Sequence, residues 1–285
     1  MLKYRAISFP LLLLLAAATV FWEEGGPWIF AALAVPVTVM AVLETAAIGE
    51  KLNLPSFRSV AVVFALALLG LAGIPEILME TICPHLWRRW FFYIMAALWL
   101  FTPVCALLLL FARDRELAAR KLLGTAGVTA FALVPVLALC RIYFQGGPMF
   151  FLALVLTTKA ADTGGYIVGM LSGKLLPGGN HKIVPSISPK KSWEGTVGGL
   201  LFSLGVAALF RHFGVLDCRW GVVLLFGALA FLGSFAGDLT ESQLKRAAKI
   251  KDSGNWIPGM GGVLDVLDSF IYNAPLFWAL NYLWE

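Results

Sequence analysis

Long apolar runs, separated by short polar stretches, make up most of this 285-residue chain. A transmembrane helix needs about 20 predominantly apolar residues. Nine runs approach that length, at residues 7–23, 27–48, 60–80, 90–111, 122–142, 148–172, 193–213, 220–238 and 263–284. Because helices satisfy every backbone polar group within lipid, the pattern predicts an all-α, polytopic integral membrane protein with about nine transmembrane helices.

The distribution of basic residues predicts the orientation of these helices. If the N-terminus is cytoplasmic, the loops on the cytoplasmic side hold 16 Lys and Arg residues and those on the other side hold 5. Cytoplasmic loops of membrane proteins carry such an excess, so the loops at 173–192 and 239–262 are both expected in the cytoplasm. The basic, leucine-rich start of the chain resembles a secretory signal, and we interpret it as a retained first span.

Composition supports this class and excludes an ordinary soluble domain, because 60% of the residues are hydrophobic and only 14% are charged. We divide the chain into N-terminal transmembrane helices at 1–145 and a second transmembrane region at 146–285, the candidate catalytic region. The division follows from two polar clusters with recognisable motifs, at 158–199 and 237–268, which both lie in the second region.

The segment 237–268 is the most polar part of this second region. It holds five acids and four bases, namely Asp238, Glu241, Asp252, Asp265, Asp268, Lys245, Arg246, Lys249 and Lys251. Charges at a bilayer are costly and usually functional. Asp265 and Asp268 are three residues apart in an apolar run, so we expect them to share a helix face. A solvated loop is the alternative, but this pair favours a metal site that holds phosphate groups.

A second polar segment covers residues 158–199. Lys159 and Asp162 are three residues apart within a predicted span, where an intramembrane ion pair is one interpretation. Gly164 and Gly165 would allow a helix or a ligand to approach closely. The loop that follows is rich in lysine and leads into the next helix, and lysines near a helix start suit phosphate.

These segments resemble the bacterial phosphatidate cytidylyltransferases, also called CDP-diacylglycerol synthases. The resemblance rests on AADTGGY, SPKKSWEGTVGG and SQLKRAAKIKDSGNWIPGMGGVLDVLD, all between residues 158 and 269. It implies a multi-pass enzyme of phospholipid biosynthesis in the inner membrane. Such an enzyme uses Mg²⁺ to join CTP and phosphatidate, which gives CDP-diacylglycerol and pyrophosphate.

The resemblance also implies roles for individual residues. The catalytic set is Asp238, Asp265, Asp268, Lys245, Arg246 and Lys251, in which the three aspartates would bind the metal. The substrate-binding set is Asp162, Lys190, Lys191, Glu194, Ser242, Asp252, Gly261 and Gly262, with Asp162 as a further candidate ligand. The implied partners are CTP, phosphatidate and membrane lipids, without nucleic acid. A second cation and a homodimer stay open.

Two positions depart from the family pattern. The family commonly has His at the position of Met260 and Arg at that of Val266, and both departures remove a group that could contact phosphate. Two other functions stay open. A membrane transporter could use the intramembrane charges as an ion pathway, and a related lipid nucleotidyltransferase could act on another lipid phosphate.

Overall fold

The computed structural model describes residues 14–82, 112, 114–185, 187–257 and 261–284. For residues 71–82 and 281–284 it describes the backbone alone. The helices of this part, after a helical segment at 14–21, are α1 (Gly26–Lys51), α2 (Arg58–Ile82), α3 (Arg115–Gly146), α4 (Pro148–Leu175), α5 (Trp193–His212), α6 (Trp220–Ala247), α7 (Leu264–Leu267) and α8 (Phe270–Trp284). Over these residues the chain is all-helical, as the hydropathy pattern predicts.

Four of these helices, α1, α3, α5 and α6, are long and apolar enough to cross a membrane. In α2 and α8, the stretches Arg58–Gly70 and Phe270–Leu280 are apolar but shorter. The predicted span at 90–111, residues 7–13 of that at 7–23, and Met260 lie outside the described residues. The chain therefore has the helices of a membrane protein in its described part.

The helix boundaries differ from the predicted spans where polar residues continue a helix or where a helix breaks. α6 runs to Ala247 instead of ending near 238, because Glu241 and Lys245 form an ion pair one turn apart. The predicted span at 263–284 is two helices, and the four-residue α7 ends at Leu267. Asp265 and Asp268 therefore do not lie on one continuous helix.

The chain divides into two compact units, the first of which contains residues 1–144 and 247–266. In this unit the ring of Phe30 on α1 stacks on that of Tyr143 on α3, with centroids 4.0 Å apart. A Cβ added to Gly124 would lie 2.2 Å from the carbonyl oxygen of Pro55. The glycine therefore lets the loop between α1 and α2 pack directly on α3.

The second unit contains residues 145–246 and 267–285. Helices α4 and α5 approach closely through glycines, since a Cβ added to Gly198 would lie 2.4 Å from the side chain of Val168. Gly164 faces the carbonyl oxygen of Gly198 in the same contact. The sequence predicted that Gly164 would allow a helix or a ligand to approach closely. In the structure it is a helix, α5, that approaches this glycine.

Helix α8 is held in the second unit by a buried amide. The side-chain nitrogen of Asn273 donates to the Thr158 hydroxyl on α4 at 3.1 Å and to the Ala230 carbonyl on α6 at 2.8 Å. Asn273 is fully buried, and a buried polar group is stabilising only when it is hydrogen-bonded. This contact joins α4, α6 and α8, and the acidic residues described next lie on α4 and α6 and just before α8.

Candidate active site

Three carboxylates meet in the second unit. Asp238 and Glu241 lie one turn apart on α6, and Asp268 lies between α7 and α8. One oxygen from each of the three lies within 4.8 Å of the others. Gly237 makes this possible, because a Cβ there would lie 2.1 Å from the backbone oxygen of Asp268. The cluster therefore depends on the absence of a side chain next to Asp238.

Two lysines balance the charge of this cluster. The Lys191 ammonium lies 2.8 Å from Asp238 Oδ2 and 4.1 Å from the centre of the Phe235 ring. Lys245 pairs with Glu241, whose side chain is fully buried. A buried carboxylate is costly without such a partner. The cluster therefore combines the oxygen atoms that a divalent cation prefers with ammonium groups suited to phosphate.

A hydrogen-bonded network joins α4 to this cluster. Lys159 Nζ lies 3.4 Å from Asp162 Oδ2, 3.8 Å from Asp268 Oδ1 and 2.9 Å from the Ser269 hydroxyl. The Ser269 hydroxyl oxygen lies 2.8 Å from Asp162 Oδ2, and the Ser234 hydroxyl donates to Asp162. Lys159 and Asp162 thus form the ion pair considered from the sequence, and this pair extends to Asp268.

Asp265 belongs to the first unit and has different partners. Its Oδ2 accepts hydrogen bonds from the Ser253 backbone at 3.0 Å and the Gly262 backbone at 2.7 Å, and it lies 3.0 Å from the Ser253 hydroxyl oxygen. Gly261, next to it, has φ of 104°, a conformation that favours glycine. In the structure Asp265 therefore holds the two ends of the glycine-rich segment together.

The neighbouring residues Lys251 and Asp252 border a cavity in the first unit. The cavity has a volume of about 410 Å³ and is lined by Ala47, Ile48 and Lys51 of α1 and by residues 250–255. Both Lys251 and Asp252 are exposed. The segment 250–255 thus presents charged groups along an open cavity wall.

The remaining predicted residues lie at the ends of α5 and α6. Lys190 and Arg246 are exposed, and the Ser242 hydroxyl lies 3.4 Å from Asp238 Oδ1. Glu194 accepts hydrogen bonds from the His181 backbone at 3.2 Å and lies 2.7 Å from His181 Nδ1. Glu194 thus holds the loop that precedes α5.

Comparison with known proteins agrees with these motifs. A family model described as "Cytidylyltransferase family" matches residues 3–284. The chain belongs to this family.

Several curated relatives of this family member carry the name phosphatidate cytidylyltransferase. One from Mycobacterium bovis is 37% identical over 161 residues, which cover 55% of this chain and 50% of the relative. One from Haemophilus influenzae is 42% identical over 124 residues, or 41% of this chain and 40% of the relative. One from Staphylococcus aureus is 44% identical over 117 residues, or 40% and 42%. The matches thus span about half the length of these relatives or less.

The sequence analysis missed three residues of this region. Ser234 and Ser269 contact Asp162, but isolated serines in apolar helices carry no distinctive signal. Glu44 is 3% exposed within α1 and contacts the Ser253 hydroxyl. A lone acid in the apolar run 27–48 is the kind of residue that marks function in a membrane, so that signal was present.

Proposed function

We propose that this member of the cytidylyltransferase family is a phosphatidate cytidylyltransferase. It would transfer the cytidylyl group of CTP to phosphatidate, with CDP-diacylglycerol and pyrophosphate as products. The observation that carries the proposal is the cluster of three carboxylates within 4.8 Å of one another, flanked by two lysines. The names of the relatives support the choice of substrates.

The reaction suits these groups. A phosphate oxygen of phosphatidate attacks the α-phosphorus of CTP, and the bond from that phosphorus to the bridging oxygen breaks. Pyrophosphate leaves with the electron pair. The phosphatidate phosphate is anionic at neutral pH, so no side chain has to activate it. The protein has to bring two anions together and to stabilise the charge that develops on the leaving group.

The donor set fits Mg²⁺, which prefers carboxylate oxygens. We assign its ligands first to Asp238, Glu241 and Asp268, because their oxygens converge in the structure. Asp265 and Asp162 remain further candidates from the resemblance. When bound, Mg²⁺ would neutralise charge on the phosphates of CTP.

The lysines supply the second source of positive charge. Lys191 and Lys245 stand beside the carboxylates and would bring positive charge to phosphate groups bound there. The other proposed contacts to substrate are Lys190, Arg246, Lys251, Glu194, Ser242, Asp252, Gly261 and Gly262.

The topology forms part of the proposal. Nine spans with the N-terminus in the cytoplasm would put the catalytic region, residues 146–285, at the cytoplasmic face of the inner membrane. This face supplies CTP, and the bilayer supplies phosphatidate. The excess of Lys and Arg in the loops 173–192 and 239–262 supports this orientation.

Mass spectrometry of the products tests the proposal. Detergent-purified protein should form CDP-diacylglycerol and pyrophosphate only when CTP, phosphatidate and Mg²⁺ are all present, and EDTA should stop the reaction. Other lipid phosphates, supplied one at a time with CTP, serve as controls for substrate class. Product from another lipid phosphate in place of phosphatidate would overturn the assignment, and consumption of CTP without a sealed membrane would exclude a transporter.

A further inference from the structure

Glu44 is a buried acid whose hydrogen-bond partners belong to the glycine-rich segment of the family motif. The Ser253 hydroxyl donates to Oε2 at 2.9 Å, the Val263 backbone to Oε1 at 2.9 Å and the Leu264 backbone to Oε2 at 2.8 Å. The side chain is 3% exposed. All these residues lie in the first unit, and Glu44 thus binds both ends of the segment 253–264.

Burial makes these hydrogen bonds obligatory. Glu44 is surrounded on α1 by buried small residues, among them Ala41 and Ala46. A carboxylate in such surroundings is costly unless donors compensate it. Backbone N–H groups donate strongly to a carboxylate. The burial of Glu44 therefore requires the donors at the two ends of this segment, Ser253 at one end and Val263 and Leu264 at the other, to keep these positions.

The Glu44 carboxylate also leaves no room for a side chain at two glycines of the motif. A Cβ added to Gly254 would lie 2.3 Å from Glu44 Oε1, and one added to Gly262 would lie 2.4 Å from Glu44 Oε2. Real Cβ atoms do not approach an oxygen so closely. The contact explains why glycine occupies these two positions, since any side chain would displace Glu44.

The same segment holds Asp265. The Ser253 hydroxyl lies 2.9 Å from Glu44 Oε2 and 3.0 Å from Asp265 Oδ2. The Gly262 backbone donates to Asp265 and the next backbone N–H, that of Val263, donates to Glu44. A change in the contacts of Glu44 is therefore transmitted to Asp265 through a shared hydroxyl and adjacent amides.

We propose that Glu44 is a positioning residue for the cytidylyl transfer reaction. It clamps Ser253, Val263 and Leu264 onto α1. It thereby orients Asp265 and the cavity wall that carries Lys251 and Asp252. The catalytic part of this inference rests on the proposed function. The clamp itself does not depend on the substrate.

Glu44→Gln is the informative change because it keeps the shape of the side chain. Both carboxylate oxygens accept a backbone N–H, so the amide must turn its NH₂ group toward one of these donors. We expect kcat for CDP-diacylglycerol formation to fall about tenfold to a hundredfold, with KM for CTP little changed. Glu44→Asp keeps the charge and should recover part of this loss.

Hydrogen exchange measures the clamp without reference to activity. In Glu44→Gln the amides of Val263 and Leu264 should exchange faster than in the wild type, because their acceptor is impaired. The matched control is Glu50→Gln, on the same helix, where the acid is exposed and pairs with Arg58. This control should keep wild-type turnover and exchange at both amides.

The outcomes separate the two proposals. Unchanged exchange at Val263 and Leu264, or unchanged turnover in Glu44→Gln, would overturn the role of Glu44, as would an equal loss in Glu50→Gln. A wild-type protein that does not make CDP-diacylglycerol, together with faster exchange in Glu44→Gln, would instead refute the proposed function and leave the clamp standing. If Glu44→Gln does not fold, Ser253→Ala tests the link, and unaltered turnover in that variant would also overturn the inference.

Discussion

Replacing Asp268 by Asn tests the acidic cluster most directly, because it changes charge with little change of shape. Asp268 is 16% exposed and lies 3.8 Å from Lys159 Nζ. Its oxygen Oδ1 accepts from the Ser269 backbone at 2.6 Å and from the Ser269 hydroxyl at 2.9 Å. The amide oxygen of Asn can accept the same two hydrogen bonds. The local structure should therefore survive the substitution.

The effect on stability should be small because attraction and repulsion are lost together. The attraction between Asp268 and Lys159 Nζ, 3.8 Å away, is about 4.4 kcal/mol at an effective dielectric constant of about 20. The repulsions from Asp238 and Glu241, whose nearest oxygens lie within 4.8 Å, are at least about 3.5 kcal/mol each by the same relation. The lost repulsions therefore offset the lost attraction, and we expect Tm to fall by no more than the roughly 2–4 °C that corresponds to about 1 kcal/mol.

The effect on activity should be large. The substitution leaves two carboxylates where three converge, and changes in groups that merely support metal ligands already cost about 10–100-fold. We expect Asp268→Asn to lower the rate of CDP-diacylglycerol formation at least about a hundredfold and to shift the Mg²⁺ dependence to higher concentration. The measurement is product formation from labelled CTP over a Mg²⁺ titration, with Tm recorded for each protein.

Asp217→Asn is the matched control, because Asp217 is an exposed acid of the same unit. It should leave both rate and Tm unchanged. Wild-type turnover with an unaltered Mg²⁺ dependence in Asp268→Asn would remove Asp268 from the site. A fall in Tm well beyond the expected range would show that the charge balance has been misjudged.

Three further predictions concern packing, topology and metal. Gly237→Ala should lower the free energy of unfolding by about 1–3 kcal/mol and reduce turnover, because the added Cβ would lie 2.1 Å from the backbone oxygen of Asp268. Gly221→Ala on the same helix is the control, since a Cβ there has nothing within 4 Å, and it should change neither stability nor turnover. Equal Tm values for the two variants would contradict this reasoning. Single cysteines at Lys182 and Lys249, without the native four, should both resist an impermeant thiol reagent in intact cells, and labelling of only one would refute the common cytoplasmic side. Adding Mg²⁺ to wild-type protein stripped of metal should raise its Tm, and an unchanged Tm at saturating Mg²⁺ would argue against a metal bound to the folded state.

The sequence by itself determined the class of the protein and most of its helices. The runs at 27–48, 193–213 and 220–238 correspond to α1, α5 and α6. This agreement is expected because apolar length and backbone hydrogen bonding are local properties of a segment. The motifs also indicated the family, since their order and spacing are written in the chain.

Only the tertiary structure decided which acidic side chains lie close together. Asp265 and Asp268 are three residues apart, yet the helix ends between them and their contacts belong to different units. Hydropathy does not register that break, because both sides of it are apolar.

The contact partners of these acids also could not be predicted from the local sequence pattern. From the sequence, Glu241 was only one of the five acids of the segment 237–268. In the structure it joins Asp268, because Gly237 admits the backbone of Asp268. Glu44 meets Ser253 across 209 positions of the chain. Contacts of this kind depend on how helices pack, and packing depends on small residues whose effect is visible only when the facing surface is known.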